Sequence, residues 1–475
     1  MCGILGLWSQ HQEIAEQLIY GMATLQHRGQ DTAGAVTFDG MFHLKKGQGL
    51  VSQVFEEKHI GRLQGTAGLG HIRYATMGTT DEIDAQPQYL NYPFGLAMVH
   101  NGNVVNFSDA RERLRGTYHR LIDTANDVEL ILYTFAAHLE RRDLANLTND
   151  DIFACVRATQ AEIEGAYSVV ALIADRGILA FTDPHGIRPL TLGVRDDGDV
   201  AIASESTSLD YLGYEHCGDL APGEAVLVDP DRVIHRHRGL ERSQAFCVFE
   251  YIYFAREDST LHGRLVADER VRMGHVLAGA VRNAGLKPDT VIDVPASGYF
   301  FASALAEALG VPYRRALAKN AHIGRSFITS TQALRERLVR QKLNPIRSVV
   351  RGKRIAVVDD SIVRGTTSRH LVALLRDAGA REIFMISAAP PIRFPCIYGI
   401  DMSTLEELVA AQSDVETIRE AIGADALVYQ PLDALRDLYS NLGCCYACFD
   451  GRYPTGHSAK DLAEIAKEKA RSERG

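Results

Sequence analysis

The second half of the chain alternates between two textures, and this alternation constrains the fold more than any other feature. From about residue 260 a helical stretch, "ADERVRMGHVLAGAVRNAG", leads to an apolar strand, "TVIDVPAS". Two helices, "FFASALAEALG" and "STQALRERLVRQKL", then lead to the strand "KRIAVVDD", and the helix "TTSRHLVALLRDAGA" leads to the strand "EIFMISAAP". Strands interleaved with helices predict a parallel, doubly wound sheet, an α/β domain whose ligands gather beyond the carboxyl ends of its strands.

The first half reads differently. Residues 11–26, "NDVELILYTFAAHLERR" and "DIFACVRATQAEIEG" have helical periodicity, after which "AYSVVALIAD", "GILAFTD", "VAIASES", "EAVLVD" and "RVIHRHR" follow as short strands broken by Gly, Asp and Pro. This pattern predicts an α+β layered domain ending near residue 235. A length of 475 residues is too great for one core, and 46% apolar with 23% charged residues is an ordinary globular composition. The net charge of −9 argues against sequence-independent nucleic-acid binding, and no run approaches the ~20 apolar residues that span a bilayer. With no basic, signal-like N-terminus, the expected location is the cytoplasm.

The densest chemistry in the second half is "RIAVVDDSIVRGTTS". Asp359 and Asp360 suit a turn, and Thr366, Thr367 and Ser368 suit a helix cap. Adjacent acids at the mouth of a parallel strand, followed by a Gly-containing loop and a helix start, also suit a phosphate at the helix N-terminus. The acids then face ribose hydroxyls or a Mg²⁺ on a pyrophosphate.

At the other end, "MCGILGLW" places a cysteine second. A buried, inert thiol is one reading. The other follows removal of Met1: Cys2 then carries the α-amine, whose ordinary pKa near ~8 lets it take the thiol proton, so that one residue supplies nucleophile and base. The remaining cysteines are too scattered for a disulfide framework in a chain of this size, although Cys445 and Cys448 form a Cys-x-x-Cys pair compatible with zinc, a redox pair or neither.

The loop "VVDDSIVRGTTS" resembles that of the type I phosphoribosyltransferases, which bind 5-phosphoribosyl-1-pyrophosphate (PRPP). The segments "MCGILGLW", "LQHRGQDTAG", "GHIRYAT", "VHNGNVVNF" and "DPHGIRPL" resemble, in this order, the N-terminal-nucleophile glutamine amidotransferases. Joined in one chain, the two halves are similar to the glutamine-dependent PRPP amidotransferases, in their iron–sulfur branch. The resemblance implies an N-terminal-nucleophile (αββα) glutaminase domain over 2–235, a phosphoribosyltransferase domain over 260–440 and a C-terminal tail over 441–475.

Carried over residue by residue, the resemblance makes Cys2 the nucleophile, with Asn101 and the Gly102 N–H as oxyanion hole. Arg73 takes the glutamine α-carboxylate and Asp127 its α-ammonium. It gives PRPP to Lys319, Arg325, Asp359, Asp360, Ser361, Arg364, Gly365, Thr366, Thr367 and Ser368, and Mg²⁺ to Ser297, Asp359 and Asp360. A [4Fe–4S] cluster falls to Cys247, Cys396, Cys445 and Cys448, with Cys444 an alternative to Cys445. The implied activity is synthesis of 5-phosphoribosylamine at the start of de novo purine biosynthesis, by a homotetramer or homodimer inhibited by purine nucleotides. This chain departs from the family at Ala296, where an Asp is usual, and in "KNAHIGR", where Ala321 and His322 replace an Arg and a Tyr.

Overall fold

The computed structural model describes residues 1–10, 13–74, 82–319, 343–402, 404–458, 461 and 465. Two antiparallel sheets form the first half. One runs in the order Glu215–Asp219, Thr191–Val194, Val200–Ala203, Gly3–Trp8, Ala67–Arg73, Thr32–Phe38, Phe42–Gln48. The other runs Ile234–Arg238, Glu224–Val228, Gly177–Thr182, Gly165–Ile173, Leu96–Val104, Gln88–Leu90.

Three apolar layers hold the sheets between helices. Ile4, Val36, Leu69, Val99, Val170 and Val226 fill the space between the two sheets. Leu18, Ile19 and Met22 of helix Ala15–Thr24 cover the outer face of the first sheet. Helices Asp127–Glu140 and Asn149–Glu162 cover the outer face of the second. The result is the expected αββα sandwich, and its last strand runs to Arg238.

All five strands expected after residue 165 are present, but six more lie before residue 105 that the sequence reading did not assign: Gly3–Trp8, Thr32–Phe38, Phe42–Gln48, Ala67–Arg73, Gln88–Leu90 and Leu96–Val104. Helix, where the reading placed it over 11–26, spans Ala15–Thr24.

In the second half Thr290–Asp293, Arg354–Asp359, Glu382–Ser387 and Ala426–Tyr429 form a parallel sheet in that spatial order. Helices Val266–Asn283 and Tyr299–Leu309 pack on one face, and Thr366–Asp377 and Val415–Ile422 on the other. Parallel pairing aligns the carboxyl ends, so that Asp293, Asp359, Ser387 and Tyr429 share one edge. The helix expected over "STQALRERLVRQKL" lies outside the described residues.

The tail returns to the linker between the halves. Phe246–Cys247 pairs in parallel with Cys444–Cys445, and that ribbon brings the last cysteines beside Cys247.

Candidate active sites

Cys2 sits at the start of the central Gly3–Trp8 strand, buried at 7% exposure. Its backbone nitrogen donates to Asn101 Oδ1 at 3.1 Å, and its Sγ lies 3.8 Å from the Tyr74 carbonyl. The Asn101 Nδ2 is buried with no hydrogen-bond partner among the described residues. An orphaned amide donor beside a thiol is costly unless a ligand atom fills it.

Gly102 follows at φ +153°, and a Cβ there would stand 1.9 Å from the Ala166 carbonyl oxygen, so only glycine fits this step of the strand. Sequence reasoning paired Asn101 with Gly102, and the structure places that pair next to Cys2.

Asp127 opens helix Asp127–Glu140 and is 5% exposed. Val104 N donates to its Oδ2 at 3.0 Å, and His100 Nε2 stands 3.2 Å from its Oδ1. Burial would raise the Asp127 carboxyl, but His100, the Val104 N–H and the Arg73 charge outweigh burial and hold it below its ordinary value. Arg73, 3% exposed, ends the Ala67–Arg73 strand and acts on the same carboxylate. The two residues expected to bind glutamine therefore lie near enough to interact.

Several residues the sequence reading did not single out support this site. The Arg28 Nε donates to the Cys2 carbonyl at 2.9 Å, while its Nη1 and Nη2 reach Glu250 at 3.0 Å each and Nη1 also bonds Glu205. Arg188 lies 3.5 Å from Glu250 and donates its Nε to the Tyr398 carbonyl at 2.9 Å. Asn103 Nδ2 donates to the Ile397 carbonyl at 3.0 Å, and Tyr74 OH to Asp401 at 3.2 Å. The segment 396–401 thus touches the glutaminase half from several sides. Arg28 and Arg188 lie in motifs already quoted, but Glu250 is 222 residues from Arg28 and no local pattern announces the contact.

At the other site Asp359 and Asp360 lie at the carboxyl edge of the parallel sheet, each 8% exposed. Ser361 Oγ donates to Asp360 Oδ1 at 2.6 Å, Ser297 Oγ donates to Asp360 Oδ2, and Asp360 N donates to Asp359 Oδ1 at 3.0 Å. Burial, then the neighbouring Asp360 charge, raises the Asp359 carboxyl well above its ordinary value, and burial also raises Asp360. Two buried acids in this state call for a cation or hydroxyl donors.

Beyond the acids Gly365 adopts φ +70° and starts helix Thr366–Asp377, whose first turn has no side-chain cap. Thr366 and Thr367 are exposed and Ser368 is buried. Free N–H groups at the start of a three-turn helix form the cradle expected for phosphate. Arg364 is turned outward onto Glu407 at 2.8 Å. Lys319 ends the exposed strand Leu317–Lys319, and Arg325, with Ala321 and His322, lies outside the described residues. Asp293, buried and bonded by Tyr313 OH at 2.9 Å, is a third acid at this edge that the sequence reading did not assign.

Cys247, Cys396, Cys445 and Cys448 line one cavity, together with Val248, Phe249, Ile400 and Ala447. Cys444 does not line it. Burial pushes the Cys247 thiol up to about 11 and the Cys445 and Cys448 thiols well above their ordinary value, and mutual repulsion adds to this. Among the described residues no three His, Cys, Asp or Glu side chains stand close enough together for a single metal ion.

A glutamine amidotransferase domain model matches residues 71–211 and a phosphoribosyl transferase domain model matches residues 270–390. The amidophosphoribosyltransferase of Haemophilus influenzae is 43% identical over 485 residues, covering 99% of this chain and 96% of that protein. Among solved structures, the Bacillus subtilis glutamine PRPP amidotransferase complexed with ADP and GMP matches with a TM-score of 0.86 at 37% identity, covering 95% of this chain and 97% of that one. A structure described as the allosteric regulatory enzyme of purine biosynthesis matches with a TM-score of 0.87 at 36% identity, covering 98% and 99%.

Proposed function

The chain belongs to the amidophosphoribosyltransferases, which make 5-phosphoribosylamine, glutamate and pyrophosphate from PRPP, glutamine and water as the first step of purine biosynthesis, and from that premise we propose how its two sites divide the work. Cys2 attacks the glutamine side-chain amide once Met1 is removed, and its α-amine takes the thiol proton. In the unprocessed chain burial pushes the Met1 amine down to about 6.

The tetrahedral oxyanion receives Asn101 Nδ2–H and the Gly102 N–H, a preorganised pair of the kind worth ~3–4 kcal/mol of barrier. Collapse breaks the C–N bond, the amine's proton passes to the leaving nitrogen, and ammonia departs from a glutamyl thioester. Water then attacks the thioester carbonyl and releases glutamate and the thiol. Arg73 and Asp127 hold the α-carboxylate and α-ammonium throughout. The observation that carries this reading is the buried Asn101 Nδ2 beside Cys2, which has no hydrogen-bond partner among the described residues.

In the second half ammonia attacks C1 of PRPP as pyrophosphate leaves. The N–H groups and hydroxyls of Thr366, Thr367 and Ser368, with Ser361, Gly365 and Arg364, receive the phosphates, and Lys319 and Arg325 are assigned to the same substrate. Ser297, Asp359 and Asp360 would hold Mg²⁺, which when bound neutralises the leaving pyrophosphate. Cys247, Cys396, Cys445 and Cys448 would hold a [4Fe–4S] cluster, which supplies a structural tie between tail and linker. Four thiols around one apolar cavity support that donor set.

We further propose purine nucleotides as inhibitors, from the ADP and GMP of the Bacillus structure and the allosteric description of its counterpart. A homotetramer or homodimer in the cytoplasm is the proposed setting. Among the described residues no helix is long and apolar enough to cross a membrane.

The test is Cys2→Ser assayed for pyrophosphate release with either nitrogen donor. Glutamine-dependent release is lost and ammonia-dependent release stays within twofold of the parent. Loss of both in a folded variant would overturn the two-site assignment.

A further inference from the structure

We propose that Gln86 and His100 form a positioning pair that presents Asp127 as a full anion, and that this pair sets the preference for amides carrying an α-ammonium. The proposal rests on the assignment of Asp127 to the glutamine α-ammonium made above. Gln86 and His100 are each 2% exposed, so their hydrogen bonds are made with each other and their neighbours rather than with bulk water.

The proton positions follow from the bonds. Gln86 Oε1 accepts the His100 backbone N–H at 2.7 Å, so the other terminal atom of its amide is the NH₂ group. That group faces His100 Nδ1 at 3.0 Å and Asn126 Oδ1 at 3.4 Å. A donor opposite Nδ1 requires a lone pair there, which puts the ring proton on Nε2. His100 Nε2 stands 3.2 Å from Asp127 Oδ1 and helps to hold that carboxyl below its ordinary value. An imidazolium would set an N–H against the amide NH₂, so the arrangement selects neutral histidine.

Neutrality is the functional point. A lysine or arginine at this position would satisfy Asp127 and compete with the incoming ammonium, whereas a neutral donor orients the carboxylate and leaves its charge available. The other charged or titratable side chains acting on this group are His71 and Arg73 from the Ala67–Arg73 strand. Burial holds His71 well below its ordinary value, so it too is a neutral neighbour.

The test compares kcat and KM of glutaminase on L-glutamine and on 4-carbamoylbutanoate, which is glutamine without its α-amine. In His100→Leu and Gln86→Glu the preference for glutamine falls at least tenfold, through KM for glutamine, while activity on 4-carbamoylbutanoate stays within twofold. Gln86→Glu acts without removing the ring, because a carboxylate opposite Nδ1 favours the imidazolium, whose charge competes with the incoming ammonium for Asp127. It therefore keeps the proposal testable if His100→Leu does not fold. His100→Gln, which retains an amide N–H near Asp127, restores most of the preference. Equal losses on both substrates, with Asp127→Asn abolishing the preference, would overturn the role of the pair and leave Asp127 in place. A preference unchanged in Asp127→Asn would overturn the Asp127 assignment and this proposal with it.

Discussion

Gly399, from the phosphoribosyltransferase half, packs on Gly102 of the glutaminase half so closely that a Cβ on Gly399 would stand 2.9 Å from the Gly102 carbonyl oxygen. Gly399 also has φ +94°, which disfavours any side chain. Gly399→Ala must therefore push on Gly102, the residue proposed to supply an oxyanion N–H. The expected outcome is a fall of at least tenfold in kcat with glutamine, below the ~10²–10³ of losing a donor outright, and an unchanged rate with ammonia. Steady-state assays with both donors check this, and equal losses would show that the contact does not act on the oxyanion site.

The buried charges under Cys2 give a pH signature. Burial alone would raise the Glu205 carboxyl, but the His27 and Arg28 charges outweigh it and hold the group far below its usual 4.5. A depressed folded pKa stabilises above the unfolded value and loses that contribution as pH falls from about 4.5 toward the folded value. Denaturation midpoints of the parent should therefore drop on acidification below pH ~4.5. Glu205→Gln should flatten that slope by up to one proton, about 1.4 kcal/mol per pH unit. At neutral pH the same variant should be less stable by ~3–5 kcal/mol, because Arg28 is left with an uncompensated share of charge. Parallel acid slopes for the two proteins would exclude Glu205 as the titrating group.

How much of this was readable beforehand varied with the physics. In the second half three of the four parallel strands are apolar runs closed by an acid or Ser, so "RIAVVD" and its helix were visible directly, whereas the fourth, Ala426–Tyr429, closes on Tyr and was not assigned. The strands before residue 105 were not assigned either, four of the six because burial on both faces erases the period of two: "TAGAVTF" is buried at six of its seven positions. Glycines blur them further. Gly34 and Gly70 are there because a Cβ would meet the Gln86 carbonyl oxygen at 2.1 Å and the Met22 side chain at 2.6 Å, a packing reason no local propensity scale contains. Cys2, Asn101 and Asp127 were found through ordered motifs. Glu250 and Glu205 were not, since their partner Arg28 lies 222 and 177 residues away in sequence. His100 stood inside a motif already quoted, and an apolar strand that carries a buried histidine beside Asn-Gly was the available signal.

Asp359 and Asp360 should govern PRPP use whatever the nitrogen source. Their carboxyl groups lie at the sheet edge with Ser297 and Ser361, whereas Arg73 and Asp127, proposed to bind glutamine, interact with each other in the other half. In Asp359→Asn or Asp360→Asn, kcat/KM for PRPP should fall at least tenfold with either glutamine or ammonia. Basal hydrolysis of glutamine without PRPP should stay within twofold. A variant that lost only the glutamine-dependent reaction would place these acids on the path between the sites instead of at PRPP.

The four cysteines around one cavity lead to the last prediction. Burial and mutual repulsion raise the Cys247, Cys445 and Cys448 thiols, so thiolates gathered there need positive charge to compensate them. A polynuclear iron cluster would supply that charge and take four sulfur ligands. Protein purified without oxygen should be brown, with about four irons per chain as four-thiolate cubane ligation implies. Cys445→Ser should lower iron content and thermal stability more than Cys444→Ser, because Cys445 lines the cavity and Cys444 does not. The tail should come loose with the iron, since Cys444–Cys445 pairs with the linker strand Phe246–Cys247, and proteolysis after chelation should cut first on the C-terminal side of Cys445. Colourless, iron-free protein with full activity and a protected tail would rule out the cluster.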